Sequence, residues 1–469
     1  MMSRSLLTDE KNQRDGKDEE KAYSFLSSLF PVAIWSEISL FVPEELFRLC
    51  QELQLPYHYV LFINTCLYTE RWLFDFPHDL SKYTKLRHLE TSSYLPIKLP
   101  INLLTIKIDN FNDSLQSLTH TGGCLNLRSI EINSFRAGWK GGLEPLSICT
   151  NLQIIKMNSF DGSLVPLGHC QEIQIIEMNR FNGDLGPLRA CTKLLEIQMN
   201  SFNGNLDPLK GCFNLRMIKM WHFRGNFPGS LEPLRSCLSL QTIVMTRFVG
   251  NGKESLEPFR GHPSLQEIDM FNFAGDLEPL STCSSLQIID IYHFNGRLDF
   301  LEQLENLQTL KMETFRGDWK DSLKPLEKLK NLHELRLVDF KGELEPLTNC
   351  PGLSKFYIGR FKGNWEPLGR CQNLRQIHLF SFEESLGVLN FPISLEQITL
   401  YSFNGNLDPL KVCTNLKQIT LYNFNGNLDP LKVCTNLKQI TLYSFNGSLE
   451  PLRECKNLRI ICLYMYGRR

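Results

Sequence analysis

The stretch Phe403–Tyr443 contains one twenty-residue sequence twice, Phe-Asn-Gly-Asn-Leu-Asp-Pro-Leu-Lys-Val-Cys-Thr-Asn-Leu-Lys-Gln-Ile-Thr-Leu-Tyr, beginning at Phe403 and again at Phe424. The two copies start 21 residues apart, and a single residue, Asn423, separates them. An identical tandem copy of this length indicates a repeating structural unit. We therefore compare the rest of the chain with this pair.

The second half of the unit has the pattern of a short strand followed by a turn. Ile419 and Leu421 alternate with outward residues, which predicts a strand with one buried face and one exposed face. Leu416 adds the first buried position of a Leu-x-x-Ile-x-Leu spacing. Phe424 then turns toward the interior, and Gly426 permits a bend that a Cβ would hinder.

The first half of the unit predicts a helical turn on the opposite side. Asp408 is suited to cap a helix, and Pro409 is suited to its first position. Leu410 and Cys413 then face the interior, and Asn415 marks the turn into the next strand. A single coil of this kind cannot bury its apolar face alone, so its stability must come from stacking on neighbouring coils.

The phenylalanine of the unit recurs along most of the chain. Successive copies are almost always 21 or 25 residues apart, so the longer units carry four extra residues. Sixteen positions carry it: Phe111, Phe135, Phe160, Phe181, Phe202, Phe223, Phe248, Phe273, Phe294, Phe315, Phe340, Phe361, Phe382, Phe403, Phe424 and Phe445.

This period, together with the Leu-x-x-Ile-x-Leu spacing, resembles the leucine-rich repeats, with Phe where that family usually has Asn or Cys. The resemblance implies an α/β solenoid. We expect an arc with a concave parallel sheet, short helical or 3-10 turns on the convex side and a small helical module at the N-terminus. The units also resemble the short leucine-rich repeats of protists and large DNA viruses.

The pattern divides the chain into five segments. We predict a disordered charged tail at 1–22, a helical module at 23–56, a linker and N-terminal cap with a degenerate first coil at 57–102, the solenoid at 103–466 and a short tail at 467–469. No polar capping sequence follows the last coil. We therefore expect it to expose an edge strand and apolar core.

The composition argues against several classes of function. The net charge of -1 gives no reason to expect nucleic acid or an acidic membrane as a partner. No run of 18 apolar residues occurs, so we expect no membrane span. The charged N-terminus also lacks the apolar core of a signal peptide. We expect a cytoplasmic protein, with the nucleus as the alternative.

Most of the fifteen cysteines share one position in the unit. Twelve do so: Cys124, Cys149, Cys170, Cys191, Cys212, Cys237, Cys283, Cys350, Cys371, Cys413, Cys434 and Cys455. Stacked coils would bring these thiols close together, so spacing alone does not exclude bridges. Because free cysteine is a small buried hydrophobe and no export signal is present, we expect reduced thiols. The set lacks close Cys-x-x-Cys pairs, so we expect no zinc, and no cofactor of any kind.

Residues 25–54 differ in kind from the repeats. Apolar residues at helical spacing are broken by two prolines, each suited to the start of a helix. A Leu-x-Pro opening, an Ile-Trp-x-x-Ile helix and a Phe-Val-Pro break resemble an F-box, the module that docks on the Skp-family linker of a cullin ubiquitin ligase. The resemblance implies docking through Leu29, Pro31, Ile34, Trp35, Ile38, Val42, Pro43, Leu46 and Leu49. Alternatively, these helices only cap the first coil.

The outward strand positions form the concave face, the usual recognition surface of such arcs. Aromatic residues recur along it, with charged residues beside them in the middle coils, and this composition is typical of protein interfaces. The predicted target-binding residues are Trp221, His222, Arg247, Phe271, Tyr292, His293, Tyr357, Phe380, Tyr401, Tyr422 and Tyr443. For the last three tyrosines the alternative is that the rings stack on one another and were copied with the repeat.

The four-residue inserts of the longer units form a second candidate surface. Insertions at one point of a solenoid coil lie on one rim and often contact ligands. They carry Trp139, Lys140, Phe227, Trp319 and Lys320. Alternatively, the rings lie over neighbouring coils.

No catalytic motif occurs in the sequence, so we expect that the protein is not an enzyme. Two functions remain. In the first, the F-box-like segment binds a Skp-family linker and cullin complex, and the concave face selects a target protein for ubiquitin transfer. In the second, the chain is a protein–protein interaction scaffold with no role in ubiquitin transfer.

Overall fold

The computed structural model describes residues 60–63, 79–81, 84–91, 94–111, 114–119, 124–135, 142–181, 183–202, 204–223, 231–246, 256–271, 276–294, 297–314, 323–380, 391–403 and 406–464, with only the backbone for residues 60–63. The F-box-like segment, with its nine docking residues, and the five predicted rim residues lie outside these ranges. The chain divides into two units, Met1–Gly162 and Ser163–Arg469. This boundary falls inside the segment predicted to be solenoid.

The first unit contains five parallel strands in chain order. Each strand pairs with the next one, and the first two lie within the segment predicted to hold a degenerate coil. The strands are β1 (Val60–Ile63), β2 (His88–Thr91), β3 (Thr105–Ile108), β4 (Ser129–Ile132) and β5 (Ile154–Asn158), and 3-10 helices span Leu115–Leu118 and Glu144–Ile148.

The second unit contains fourteen further strands, again parallel and paired in chain order. They are β6 (Ile175–Asn179), β7 (Glu196–Asn200), β8 (Met217–Trp221), β9 (Thr242–Thr246), β10 (Glu267–Phe271), β11 (Ile288–Tyr292), β12 (Thr309–Glu313), β13 (Glu334–Val338), β14 (Lys355–Gly359), β15 (Gln376–Phe380), β16 (Gln397–Tyr401), β17 (Gln418–Tyr422), β18 (Gln439–Tyr443) and β19 (Ile460–Tyr464).

Short 3-10 helices lie between these strands. They span Val165–His169, Gly186–Ala190, Asp207–Gly211, Glu232–Ser236, Glu257–Phe259, Glu278–Thr282, Asp299–Gln303, Lys324–Lys328, Glu345–Asn349, Glu366–Arg370, Asp408–Val412, Asp429–Val433 and Glu450–Glu454. Parallel strands joined by 3-10 turns confirm the predicted leucine-rich-repeat solenoid in each unit.

The interior consists of repeated rows of apolar side chains. Ile419 and Leu421 are buried within β17, as predicted. Twelve of the sixteen phenylalanines lie in the described ranges, and each is at most 9% exposed. Their rings stack from coil to coil: the ring of Phe424 lies 6.0 Å from that of Phe403 and 6.2 Å from that of Phe445, nearly parallel to both.

A glycine lies two residues after most of these phenylalanines, and the ring leaves no room there for a Cβ. A Cβ added at Gly204 would lie 2.5 Å from the ring of Phe202, and one at Gly447 would lie 2.5 Å from that of Phe445. The predicted bend is present at Gly426. At these positions the reason for glycine is therefore ring packing and not a left-handed backbone.

The left-handed conformation occurs instead at the residue after each five-residue strand, wherever that residue lies in the described ranges. Ser402, Asn423 and Ser444 have φ of 53°, 54° and 53°. The N–H of Ser402 donates to the carbonyl of Tyr422 in the next coil, and that of Asn423 donates to Tyr443. These residues therefore extend the parallel pairing one position beyond the strands.

The prediction that Asp408 caps the 3-10 turn is wrong. The Asn406 side chain accepts the hydrogen bond from the Asp408 N–H at 3.0 Å. The carboxylate of Asp408 instead pairs with Lys411 at 2.6 Å. Pro409 lies in the first turn as predicted. Asn and Asp are comparable capping residues, and here the one two positions earlier has the correct geometry.

Cysteine and asparagine link successive coils. The Sγ of Cys434 lies 3.8 Å from the carbonyl oxygen of Leu410, and the Asn436 Nδ2 donates to the carbonyl of Thr414 at 2.9 Å. Thirteen cysteines are free in the described ranges, and the twelve at the repeated position are buried. Burial raises the pKa of Cys413 to about 12 and that of Cys434 to about 11. These thiols are therefore packing groups.

Candidate functional site

The candidate site is the open face of the second unit, which we define as the outward side chains of β6–β19. Each five-residue strand presents three of them, which form three columns across the sheet. In β17 these are Gln418 in the first column, Thr420 in the middle column and Tyr422 in the last column. The residue after each strand adds a fourth position beside the last column.

The last column contains most of the predicted aromatic residues, but they do not form a continuous row. Non-aromatic residues separate Trp221, the pair Phe271 and Tyr292, and a C-terminal group. In register order the column reads Asn179, Asn200, Trp221, Thr246, Phe271, Tyr292, Glu313, Val338, Gly359, Phe380, Tyr401, Tyr422, Tyr443 and Tyr464.

Tyr357 lies in the middle column, unlike the other aromatic residues predicted on this face, which all lie in the last column. In β14 the buried residues are Phe356 and Ile358, which leaves Gly359 at the last column. Tyr357 is in register with Arg336 and His378, and its ring stacks on that of His378 at 4.2 Å. Burial, with a contribution from Lys355, lowers the pKa of His378 to about 4.

The C-terminal aromatic residues stack on one another. The ring centroids of Phe380 and Tyr401 are 4.6 Å apart, those of Tyr401 and Tyr422 4.3 Å, those of Tyr422 and Tyr443 4.1 Å, and those of Tyr443 and Tyr464 4.6 Å. Planes tilted by no more than 22° mean that each ring covers the face of the next. Ring faces within this stack are therefore not available to a partner, as the stacking alternative predicted.

The aromatic residues of β8, β10 and β11, nearer the N-terminal end of the second unit, have a different arrangement. Phe271 and Tyr292 are tilted by 40° at 5.1 Å, and His293 meets Phe271 edge to face at 5.4 Å. Trp221 lies between Asn200 and Thr246 in the register, and among the described residues its indole stacks on no other ring. These side chains are partly exposed, so they keep apolar surface available for contact.

Two residues predicted at the fourth position fit this picture, and a third lies outside the described ranges. His222 is exposed beside Trp221 with φ of 59°, and its N–H donates to the carbonyl of Thr246. His293 occupies the same position in its own coil with φ of 58°. The third residue predicted at the fourth position, Arg247, is the one that lies outside the described ranges.

Ion pairs link neighbouring strands in the centre of the face. Lys311 lies 3.4 Å from Asp290, and Arg336 lies 2.6 Å from Glu313. The guanidinium of Arg336 also lies over the Phe380 ring, 5.8 Å from its centroid. This contact spans the intervening strand at Gly359, which has no side chain to block it. This contact could not be predicted from the sequence, because it depends on the register of three strands.

Asp269 and Asp290 in this region are partly buried, and nearby lysines offset only part of the cost of burying their charge. Burial, together with the neighbouring Asp290 and Glu267, raises the pKa of Asp269 to about 6, against the opposing effect of Lys311 and Lys219. Burial also raises the pKa of Asp290, while Lys311 opposes that effect. Burial and the carboxylates of Asp290, Glu313 and Asp269 raise the pKa of the Tyr292 phenol to about 12. The face therefore combines apolar rings with partly buried charge.

The described ranges contain no group of three or more His, Cys, Asp or Glu residues that could hold a metal ion. Within the same ranges, no helix has the length and hydropathy that crossing a membrane requires.

Comparisons with known proteins support the leucine-rich-repeat fold. Residues 369–465 match a family model described as BspA type leucine rich repeat region, in six copies. No curated protein matches the sequence.

Solved structures agree with this assignment. A leucine-rich-repeat protein of Leptospira interrogans is similar at 13% identity with a TM-score of 0.53, over 82% of this chain and 98% of that one. TLR13 in its complex with ssRNA13 is similar at 16% identity with a TM-score of 0.56, over 81% of this chain and 64% of that one. At these identities the likeness shows the fold alone. The fold of each unit is thus that of a leucine-rich-repeat solenoid, and residues 369–465 match the model of one leucine-rich-repeat family.

Proposed function

We propose that this chain is a non-catalytic interaction scaffold that binds a protein partner on the open face of its second unit, across β8–β15. The observation that supports this is a contrast between the inward and the outward side chains of these strands. The two inward residues of each of these strands are always Ile, Leu, Met or Phe, while no two strands carry the same set of three outward residues. Stacking requires the interior pattern but does not specify the outward one.

The chemistry of the outward residues suits a protein surface. Trp, Tyr and Arg are the residues that most often dominate the binding energy of protein interfaces. Trp221 and Tyr292 supply partly exposed rings, and Arg336 supplies a charged group held in place by Glu313 and Phe380. We therefore expect a partner that covers several coils and contacts these rings.

Affinity capture followed by titration tests this function. The full chain and a Trp221→Ala/Tyr292→Ala variant would be used to capture partners, and the affinity of any recovered protein would be measured by titration calorimetry. Each substitution should weaken binding by about 2 kcal/mol, or roughly 30-fold. Tyr422→Ala is the matched control, because Tyr422 lies in the same column but inside the ring stack. Equal losses in the control and in the variant would contradict the proposal.

The lack of catalysis and the cytoplasmic or nuclear location belong to the same proposal. The first rests on a sequence without a catalytic motif, and the second rests on the twelve buried cysteines, which are free in the described ranges as expected in a reducing compartment. Fractionation of cells that express the tagged full chain would test the location. Recovery in the secreted fraction would contradict it.

A second candidate function is that of a substrate receptor of a cullin ubiquitin ligase. It rests on the F-box-like pattern of residues 25–54. Under this hypothesis a Skp-family protein would co-purify with the full chain, and Ile34→Asp, Trp35→Asp and Leu46→Asp would abolish the association. If the wild-type chain retrieves no Skp-family protein, this candidate is wrong, while the scaffold proposal is unaffected.

A further inference from the structure

The last described strand, β19, differs from every other strand of the second unit in its exposure. Ile461 and Leu463 are 46% and 52% exposed, whereas the equivalent Ile440 and Leu442 of β18 are 0% and 1% exposed. The outward Tyr464 is 50% exposed. This confirms the expectation that the last coil presents its apolar interior at an edge of the sheet.

The backbone of β19 is paired on one side within the described ranges. It pairs in parallel with β18, where Gln439 is in register with Ile460 and Tyr443 with Tyr464. No described strand lies along its other side, so a row of N–H and C=O groups is left for a further strand. Edge strands of monomeric sheets usually carry charges or proline that prevent such pairing. The sequence Ile-Ile-Cys-Leu-Tyr carries neither.

We propose that this edge joins two copies of the chain, with β19 of one copy antiparallel to β19 of the other about a two-fold axis at Cys462. In this arrangement Ile461 faces the partner's Leu463, and Ile460 faces the partner's Tyr464. All five positions are uncharged, so the pairing brings no like charges together. The exposed apolar interior of each last coil is covered by the same surface of the other.

A second copy suits this edge better than an unrelated peptide because the strand is self-complementary. An antiparallel pair of identical strands is a two-fold interface, in which each copy contributes the same patch. Its inward pairs join Ile461 to Leu463, which are apolar side chains of similar volume. No other surface of the molecule is needed to complete the contact.

The position of Cys462 provides a direct reporter of the register. It is the central residue of β19, is in register with Thr441, and lies on the open face, partly exposed. Directly opposite residues in an antiparallel pair have Cβ atoms about 5 Å apart. Two Cys462 thiols would therefore face each other across the axis. The twelve cysteines at the repeated position are buried and do not compete for reagent.

The first test is the mass of the full 469-residue chain, measured by light scattering after size exclusion over a wide range of concentration. We expect a dimer that dissociates on dilution. Leu463→Lys should raise the dissociation constant at least about 100-fold, because it places a charge against the partner's Ile461. Val433→Lys is the matched control, since Val433 is 46% exposed on a 3-10 turn away from the edge. It should leave the dimer intact.

The second test is cross-linking with bismaleimidoethane under native conditions. The wild-type chain should form a covalent dimer, and Cys462→Ser should remove it while light scattering still shows the dimer. Circular dichroism of each variant would establish that it is folded.

Three results would overturn the proposal. A chain that is monomeric at every concentration, with slow reaction of Cys462, would show that another part of the same chain covers the edge. A monomer in which Cys462 reacts rapidly would show an edge that stays open. A dimer that resists Leu463→Lys, or one that gives no Cys462 cross-link, would place the interface elsewhere or require a different pairing.

Discussion

The strands β16–β18 and β8–β15 are built on the same interior but have different outer faces. We call β16–β18 the copied region, since all three strands read Gln-Ile-Thr-Leu-Tyr. We call β8–β15 the variable region, since no two of its strands are alike. Leu335 and Leu337 in the variable region are as completely buried as Ile419 and Leu421 in the copied region. Inward positions of the variable region therefore change only among apolar residues, whereas its outward positions change between polar, charged and aromatic residues.

The outer faces of the two regions also use their aromatic rings differently. In the copied region the tyrosines lie 4.1 to 4.3 Å apart and cover one another. In the last column of the variable region, Trp221 stacks on no other ring among the described residues, and Phe271 and Tyr292 meet at a tilt of 40°. Among the described outward rings of that region, the one parallel stack joins Tyr357 to His378 in the middle column. The aromatic rings of the copied region thus cover one another, whereas the variable region leaves apolar ring surface and partly buried carboxylates without such contacts. We therefore assign binding to the variable region.

The largest expected effect tests whether the two interiors are equivalent. Phe340 in the variable region and Phe424 in the copied region are each at most 1% exposed, and each ring stacks on a neighbouring phenylalanine. Phe340→Ala and Phe424→Ala should each lower the free energy of unfolding by about 3–5 kcal/mol, through lost burial and a residual cavity. Urea denaturation followed by circular dichroism measures both.

Tyr422→Ala is the control for these two variants. The Tyr422 ring is partly exposed, and its removal should lower the free energy of unfolding by only about 1 kcal/mol. If Phe340→Ala had a much smaller effect than Phe424→Ala, the variable region would not share the continuous core, and the comparison would fail.

A smaller effect is expected at the glycine beneath each phenylalanine ring. A Cβ at Gly363 would lie 2.5 Å from the Phe361 ring, whereas one at Gly211 would have no atom within 4 Å. Gly363→Ala should therefore lower the free energy of unfolding by about 1–3 kcal/mol through overpacking. Gly211→Ala should be neutral or stabilise the fold slightly. Thermal unfolding of the two variants would distinguish a clash with the ring from a general effect of replacing glycine. Equal changes in the free energy of unfolding for Gly363→Ala and Gly211→Ala would refute the packing explanation.

The smallest effect concerns Asp269, which stands where the copied region has threonine. Its folded-state pKa of about 6 is above the ordinary value near 4, so the folded state loses stability as the carboxyl ionises between these pH values. Asp269→Asn should therefore stabilise the chain at pH 7 by about 1 kcal/mol, a value reduced by solvent screening. The difference should disappear below about pH 4.

Unfolding curves of the wild type and of Asp269→Asn across this pH range measure the effect. Asp339→Asn serves as the control, because Asp339 pairs with Arg360 at 2.8 Å and should gain nothing on neutralisation. A stabilisation of Asp269→Asn that persists unchanged at low pH would show that the ionised carboxylate is not its cause.

The sequence predicted the repeated parts of the fold well, because sixteen copies of one pattern leave little doubt about which residues are buried. It was less successful where two residues suit one role. From the sequence both Asn406 and Asp408 could cap the 3-10 turn. Only the backbone geometry shows that the turn begins at Asp408 after Leu407, and that the Asn406 side chain accepts from the Asp408 N–H. Similarly, Phe356 and Tyr357 are adjacent aromatic residues, and the buried one had to be identified before Tyr357 could be placed in its column.

The candidate site was harder to predict than the fold, for a physical reason. Its properties arise between coils and not within one. The tyrosine stack and the reach of Arg336 over Gly359 to Phe380 depend on side chains that lie about 21 or more residues apart in the sequence. A list of outward residues does not show which rings already cover each other.

Hydroxyl-radical footprinting of the full chain with and without its captured partner tests the central claim most directly. We predict that the partner protects Trp221, Phe271 and Tyr292 from oxidation, while Tyr422 and Tyr443 are oxidised equally in both states. Protection of the tyrosine stack, with Trp221 and Tyr292 unchanged, would contradict the assignment of binding to the variable region.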